Sequence, residues 1–157
     1  MDDIQLLLNR AYFYLKFRPR TKKEVRDYLY KKIKSRYWSQ DDAEKVIKIL
    51  EGEGLLNDEE FTRWFVEQRN ILKPKSVFAL KQELIRFGVS KDLIERYFET
   101  NELNEEKLAE EALSKRWRIF LDLDKKKRFE KAASFLARRG FSFEVIKKTI
   151  SKMENEV

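Results

Sequence analysis

The chain has 157 residues, of which 42% are hydrophobic and 40% are charged, and its formal net charge is +7. It contains no cysteine and no histidine, which excludes disulfides, thiolate metal sites, cysteine nucleophiles and histidine general bases. Only four glycines and two prolines are present, a composition that argues against an all-β or loop-rich fold.

The first part of the chain predicts three helices. Apolar residues recur at helical spacing along the first of them: Ile4, Leu7, Leu8, Ala11 and Leu15. Pro19 ends this helix, because proline disfavours helical backbone in the residue before it. Thr21 and Glu24 form a capping box that opens the second helix. Ser39 opens the third helix, which a Gly-Glu-Gly segment closes.

The same order of helices follows twice more, and one corner recurs almost unchanged. A glycine ends a helix and a serine two residues later opens the next, at Gly88 and Ser90 and again at Gly140 and Ser142. With Ser39, these serines lie 51 and 52 residues apart, a spacing typical of a repeat array. The other residues predicted to begin or end helices here are Asn57, Pro74, Asn104 and either Asp122 or Asp124.

We therefore predict an all-α fold of three tandem three-helix repeats, at residues 1–55, 56–103 and 104–157. A three-helix unit of this size buries little core by itself, so neighbouring repeats are expected to stack. No segment is rich enough in glycine or serine to be a flexible linker. The expected molecule is a continuous, elongated array.

Positive charge is distributed unevenly among these repeats. Their net charges are +4, −1 and +4 in chain order. Basic clusters lie at corners of the first and third repeats: Arg18, Arg20, Lys22 and Lys23; Lys125, Lys126, Lys127 and Arg128; and Arg138 with Arg139. Such clusters can bind the phosphates of a nucleic acid with release of counterions. They are equally well explained as solvated helix faces.

Carboxylates are paired in several places, but their positions do not indicate catalysis. The pairs lie at or near helix starts, where the helix dipole favours negative charge: Asp41 and Asp42, Glu59 and Glu60, Glu105 and Glu106, and Glu110 and Glu111. Asp122 and Asp124 lack a third metal ligand, and the sequence has no GxxxxGKS/T, GxGxxG or HExxH motif. We therefore expect no enzymatic activity, no metal and no cofactor.

Aromatic residues of the first repeat have two interpretations. Many are interleaved with basic residues, so nucleic-acid bases could stack on them: Tyr12, Tyr14, Phe17, Tyr28 and Tyr30. Their helical spacing favours packing within or between repeats instead. Tyr37 and Trp38 are the exception, since they occupy the corner that glycine occupies in the other repeats, and a corner is easily exposed.

Nothing in the sequence indicates a secreted or membrane protein. The N-terminus lacks the basic region and apolar core of a signal peptide. No apolar run approaches the roughly 18 residues that would suggest a membrane span. A cytoplasmic location is expected.

Several segments resemble the RecX family, whose members regulate the bacterial recombinase RecA. The resemblance runs from about residue 11 to residue 150 and is carried by Leu15-Lys16-Phe17-Arg18-Pro19-Arg20-Thr21, Gly54-Leu55-Leu56-Asn57-Asp58-Glu59-Glu60-Phe61, Arg69, and Arg138-Arg139-Gly140-Phe141-Ser142. Two positions depart from the family pattern. Thr62 stands where alanine is usual, and Pro74-Lys75 stands where a Lys/Gly turn is common.

The resemblance implies a curved array of three-helix repeats that binds the RecA–single-stranded DNA filament. It implies inhibition of recombinase, ATPase and coprotease activities, and through them an influence on DNA repair, recombination and the SOS response. The residues expected to contact RecA or DNA are Arg18, Arg20, Lys22, Lys23, Arg69, Lys125, Lys127, Arg138 and Arg139. Arg69 has a rival role in pairing with acids of its own repeat.

Two alternatives remain open at this point. One is a general helical nucleic-acid-binding protein without a recombinase partner, which would bind naked DNA tightly and with strong salt dependence. The other is a pure protein–protein adaptor. The filament regulator is instead expected to be a monomer that binds naked single-stranded DNA weakly.

Overall fold

The computed structural model describes residues 3–34 and 38–156, and these residues form nine α-helices. The helices are α1 (Asp3–Leu15), α2 (Lys22–Ile33), α3 (Gln40–Gly52), α4 (Asp58–Leu72), α5 (Val77–Arg86), α6 (Lys91–Thr100), α7 (Glu105–Phe120), α8 (Lys125–Arg138) and α9 (Phe143–Asn155). Within the two described ranges there is no β-strand. The predicted all-α class is confirmed.

Helix starts follow the caps that the sequence indicates. The Thr21 hydroxyl accepts a hydrogen bond from the Glu24 backbone, and the Glu24 carboxylate accepts one from the Thr21 backbone, which completes the predicted capping box. Ser39 caps α3 in the same way. At α8, Asp124 is the cap, which decides between the two aspartates that the sequence left open. Local hydrogen bonding therefore determines where these helices begin.

Gly88 and Gly140 end their helices in the left-handed region, with φ of 94° and 90°. Gly54, after α3, has φ of 73°. None of the described non-glycine residues has positive φ. The repeated glycine is thus explained by the backbone conformation of the corner, since a side chain is strained there.

The residues divide into two compact units by contact. Unit 1 comprises Met1–Trp64 and Leu84–Tyr97, and unit 2 comprises Phe65–Glu83 and Phe98–Val157. The core of unit 1 contains Leu7, Leu8, Ala11, Val25, Leu29, Trp38, Ala43, Val46, Ile47, Leu50 and Leu56. The core of unit 2 contains Leu108, Ala109, Ala112, Leu113, Trp117, Ala132, Phe135, Leu136, Phe141, Ile146, Ile150 and Met153. The predicted repeat boundaries remain predictions, because these units group contacting residues rather than sequence repeats.

The aromatic residues of the first repeat mostly pack. The Tyr14 and Tyr28 rings stack with their centroids 4.1 Å apart. The expectation of an exposed corner is wrong for Trp38, which is buried in the unit 1 core and donates its indole N–H to the Asp3 carbonyl at 2.7 Å. Tyr37 lies outside the described residues. Phe17, in contrast, leaves 66% of its surface exposed.

In unit 1, the turn before α2 is anchored to two later parts of the chain. The Lys22 backbone N–H donates to Asp58 Oδ1 at 2.9 Å, and Thr21 Oγ1 donates to the Phe87 carbonyl at 2.6 Å. Unit 2 repeats this arrangement. The Val77 backbone N–H donates to Glu105 Oε1 at 2.9 Å, and the Ser76 N–H donates to the Arg139 carbonyl at 3.1 Å. We call these contacts the unit 1 junction and the unit 2 junction.

The unit 1 junction predicts a specific pH dependence of stability. Burial raises the pKa of Asp58, because desolvation of the carboxylate outweighs the Lys22 hydrogen bond and charge that lower it. A carboxyl group whose folded-state pKa lies above its unfolded value adds stability at low pH, and that stability is lost as the pH rises through the folded pKa. We expect Asp58→Asn to remove this loss, since the amide oxygen still accepts the Lys22 N–H.

Urea unfolding at several acidic pH values checks this expectation. The stability of Asp58→Asn relative to wild type should rise as the pH rises. Glu44→Gln provides a control of opposite sign. The Arg26 hydrogen bond lowers the pKa of Glu44, so the wild type loses that contribution as the pH falls. If the difference in the free energy of unfolding between wild type and Asp58→Asn does not change with pH, the prediction is wrong.

Candidate functional site

A basic cleft of about 270 Å³ lies in unit 2. Its lining residues are Lys73, Lys75, Arg116, Phe135, Arg138 and Arg139, and we call this set the unit 2 cleft. The turn after α4, the face of α7 and the end of α8 supply its side chains. All charged residues of the lining are basic.

Two guanidinium groups share one aromatic ring at this cleft. The Cζ atoms of Arg116 and Arg139 lie 5.2 Å and 4.7 Å from the centroid of the Phe135 ring, which is only 5% exposed. Cation–π contact attracts both groups to this ring, although Arg116 itself is exposed. Burial, followed by repulsion from Arg116, lowers the pKa of Arg139, although an arginine remains charged. An anion bound here would relieve that repulsion.

Carboxylates neutralise only part of the cleft. Lys75 Nζ lies 2.6 Å from Glu83 Oε1, and the same carboxylate accepts a hydrogen bond from Arg69 at 3.3 Å. Among the described residues, no carboxylate oxygen lies within 4.0 Å of the charged groups of Lys73, Arg116, Arg138 and Arg139. The cleft therefore carries uncompensated positive charge.

The backbone holds the two sides of the cleft together. Arg139 Nη1 donates to the Pro74 carbonyl at 3.0 Å, while the Ser76 N–H donates to the Arg139 carbonyl. The neighbouring residues in sequence, Lys73 and Arg138, are both exposed. Arg139 is therefore partly buried and hydrogen-bonded, whereas Lys73, Arg116 and Arg138 are exposed.

Two predicted contact residues of the turn before α2, Arg18 and Arg20, make contacts within unit 1. Arg18 pairs with Glu24 at 2.6 Å and lies 5.5 Å from the Phe87 ring centroid. Arg20 lies 3.8 Å from the same carboxylate and 4.1 Å from the Tyr14 ring centroid. One glutamate therefore compensates two arginines of unit 1.

Other predicted contact residues are also paired with acids. Lys22 lies 3.5 Å from Glu51, and Lys23 lies 3.0 Å from Asp27. Both lysine side chains are about half exposed, so these pairs contribute little to stability. Arg69 makes the Glu83 contact, which is the role within its own repeat that the sequence left open.

The basic run at the start of α8 divides into exposed and anchored members. Lys125 and Lys127 are exposed. Arg128 forms a bidentate pair with Glu154, at 2.6 and 2.9 Å, and donates to the Leu123 carbonyl. Of the predicted contact residues, only Arg138 and Arg139 belong to the unit 2 cleft.

Sequence reasoning missed Lys73, Lys75 and Arg116 as members of the cleft. A signal for the first two was present, because Lys73-Pro74-Lys75 repeats the Arg-Pro-Arg pattern of residues 18–20. Arg116 lies in a helix among other charged residues, and no local pattern distinguishes it. Its role depends on the packing of α7 beside the end of α8.

Residues 3–34 and 38–156 contain neither a metal-binding cluster nor a membrane-spanning helix. No group of three acidic residues there could hold a metal ion. No helix in this part of the chain is long and apolar enough to cross a membrane.

Comparisons with known proteins follow the same three-part organisation. Models of the first, second and third three-helix domains of RecX match residues 8–50, 57–97 and 104–150. Regulatory protein RecX of Prosthecochloris aestuarii is 31% identical over 154 residues, which cover 97% of this chain and 96% of that protein. The chain belongs to the RecX family. The predicted series of three-helix repeats is thereby confirmed for this RecX chain.

Further RecX relatives are longer than this RecX chain. Regulatory protein RecX of Streptomyces lividans is 33% identical, with 79% of the chain and 64% of the relative covered. Regulatory protein RecX of Streptococcus uberis is 31% identical, with 88% and 52% covered. The chain therefore spans about half the length of the streptococcal relative.

Solved RecX structures have the same fold. The crystal structure of RecX from Lactobacillus salivarius matches with a TM-score of 0.74 at 24% identity, covering 98% of this chain and 97% of that one. A second crystal structure of a regulatory protein RecX matches with a TM-score of 0.70 at 21% identity. It covers 94% of this chain and 71% of that one. At these identities the likeness concerns the fold alone.

Proposed function

We propose that this RecX-family protein binds the RecA–single-stranded DNA filament and inhibits the recombinase, ATPase and coprotease activities of RecA. The shared name of its relatives, regulatory protein RecX, supports a regulatory role. The observation that carries the proposal is membership of the RecX family. The uncompensated positive charge of the unit 2 cleft suits the phosphates of filament-bound DNA. In this role the protein acts in the cytoplasm as a monomer, by binding and without catalysis.

Inhibition then follows from binding. A ligand shifts an assembly only by its difference in affinity for the states of that assembly. The protein must therefore bind a filament that cannot hydrolyse ATP, or cannot extend, more tightly than the active one. Arg138 and Arg139 of the cleft are the contacts that we favour. The other predicted contacts remain predictions: Arg18, Arg20, Lys22, Lys23, Arg69, Lys125 and Lys127.

A titration of labelled oligo-dT with and without RecA tests this function. We expect weak binding to the oligonucleotide alone and at least about tenfold tighter binding to the assembled filament, which corresponds to about 1.4 kcal/mol. RecA ATPase activity should fall over the same range of protein concentration. Unchanged ATPase activity at saturating protein would contradict the proposal.

The same titration identifies the main alternative. A general nucleic-acid-binding protein would bind naked oligo-dT as tightly as the filament. The logarithm of its binding constant would fall with the logarithm of salt concentration by about 0.7 for each neutralised phosphate. The basic cleft by itself is compatible with such a protein, and the family membership is what favours the RecA filament.

A further inference from the structure

The two junctions have the same construction at the level of the backbone. In unit 1 a basic-Pro-basic turn leads to Thr21, which caps α2 and donates to the Phe87 carbonyl. In unit 2 a basic-Pro-basic turn leads to Ser76, which caps α5 and contacts the Arg139 carbonyl through its N–H. In each, a glycine with positive φ follows the contacted carbonyl. The two sites can therefore be compared position by position.

The two junctions differ in charge because they have different residues at two equivalent positions. Three residues after the capping hydroxyl, unit 1 has Glu24, which pairs with both arginines of its turn, whereas unit 2 has Ala79. Before the glycine, unit 1 has Phe87 and unit 2 has Arg139. Unit 2 thus lacks a carboxylate at this position, although Glu83 pairs with Lys75 of its turn, and it has an additional cation.

The arrangement of the added charge suits a multiply charged anion. Arg139 is partly buried and is held by the Phe135 ring and the Pro74 carbonyl before any ligand arrives, and the exposed Arg116 contacts the same ring. Lys73 and Arg138 can approach from the rim. One carboxylate would bring only a single negative charge to these four cations. A chain of phosphates presents several charges at once, and guanidinium groups bind phosphate oxygens in pairs.

We propose that the unit 2 cleft is a site for linked phosphate groups, either of a nucleic-acid backbone or of a free oligophosphate, and that the unit 1 junction is not. Ala79 and Arg139 are the positions that determine this difference. The inference rests on the proposed function only for its place in the filament, since phosphate binding can be measured without RecA.

Binding of oligo-dT and of inorganic triphosphate to the whole protein tests the site. The main variant is Lys73→Glu with Arg138→Glu, because both side chains are exposed and neither forms an ion pair with a described carboxylate. We expect about a tenfold or greater loss of affinity for both probes, and a salt dependence reduced by about 0.7 for each lost contact with the oligonucleotide.

A matched control changes the net charge equally elsewhere. Lys45 and Lys48 are exposed on α3, and Lys45→Glu with Lys48→Glu should weaken binding less than about threefold. A second variant, Ala79→Glu, introduces the carboxylate that unit 1 has at Glu24 and should weaken binding of both probes without removing any cation. Circular dichroism establishes that each variant is folded.

The outcomes separate the site from the proposed function. Wild-type affinity in both test variants, or equal losses in the test and control pairs, would overturn the site. Loss in the test variants alone supports it, and the tighter of the two probes identifies the source of the phosphates. If those variants still inhibit RecA, the site stands and its proposed role in the filament fails. If wild type binds phosphates without inhibiting RecA, the site stands and the proposed function fails.

Discussion

Replacing Gly140 with alanine is expected to lower the free energy of unfolding by about 2–4 kcal/mol. The residue has φ of 90°, where an L side chain strains the backbone. A Cβ atom built on it would also lie 2.5 Å from Ser76 Oγ and 2.9 Å from Ala79 Cβ. Neither neighbour is the end of a long side chain, so the unit 2 junction would have to move. Urea unfolding followed by tryptophan fluorescence measures this loss.

Alanine substitutions at Gly54 and Gly52 distinguish the two causes of the loss at Gly140, which are backbone strain and close contact of the added Cβ. Gly54 has φ of 73° but no atom within 4 Å of a built Cβ, so Gly54→Ala should cost only about 1–2 kcal/mol. Gly52 has neither constraint and lies at the end of α3, so Gly52→Ala should be neutral or stabilising by up to about 1 kcal/mol. A loss at Gly140 no larger than the loss at Gly54 would show that the junction accommodates the extra atom.

The glycine corners illustrate what local sequence can predict. Gly88, Gly140 and the serines that follow them identify helix ends, because the conformation of a corner and the cap of the next helix depend on a few consecutive residues. The capping box of Thr21 and Glu24 is local in the same sense. What these residues do in the junctions is not local, since the junction hydrogen bonds join residues 28 to 66 positions apart.

The spacing of basic residues does not show which of them the fold leaves without a carboxylate partner. Arg18 and Arg20 belong to a strongly basic run, but Glu24 compensates both. Arg128 belongs to another, but Glu154 holds it. Arg116 belongs to neither and lies in the cleft. Whether a cation is compensated depends on which carboxylate the fold brings near it, and that information is absent from the spacing of basic residues.

A comparison between repeats recovers part of that information. Once the two basic-Pro-basic turns are aligned, the replacement of Glu24 by Ala79 is visible in the sequence. Aligning Gly88 with Gly140 shows the replacement of Phe87 by Arg139. The alignment requires knowing that the turn before α2 and the turn before α5 make equivalent contacts, which the hydrogen bonds of Thr21 and Ser76 establish. Under the proposal above, this difference in charge between equivalent backbones is what allows unit 2 to bind phosphates where unit 1 does not.

Thr21→Val is expected to lower the free energy of unfolding by about 2–4 kcal/mol. Thr21 is fully buried, and its hydroxyl makes two hydrogen bonds that valine cannot replace. It accepts the Glu24 backbone N–H at the start of α2 at 3.1 Å, and it donates to the Phe87 carbonyl at 2.6 Å. Valine would remove the cap and leave a carbonyl of the unit 1 junction without that donor. Urea unfolding measures the loss.

Thr62→Val provides the matched control, because Thr62 is equally buried and its hydroxyl donates only to the Asp58 carbonyl one helical turn earlier. That carbonyl lies within α4, where helical hydrogen bonding also uses it, so the loss should be below about 1 kcal/mol. Because the substitution and the burial are the same at both positions, the difference between the two losses measures the contribution of the unit 1 junction. Similar losses of unfolding free energy at both positions would contradict this prediction, since the Thr21 hydroxyl would then add nothing beyond an ordinary buried hydrogen bond. The unit 1 junction would in that case depend on the contact between Lys22 and Asp58.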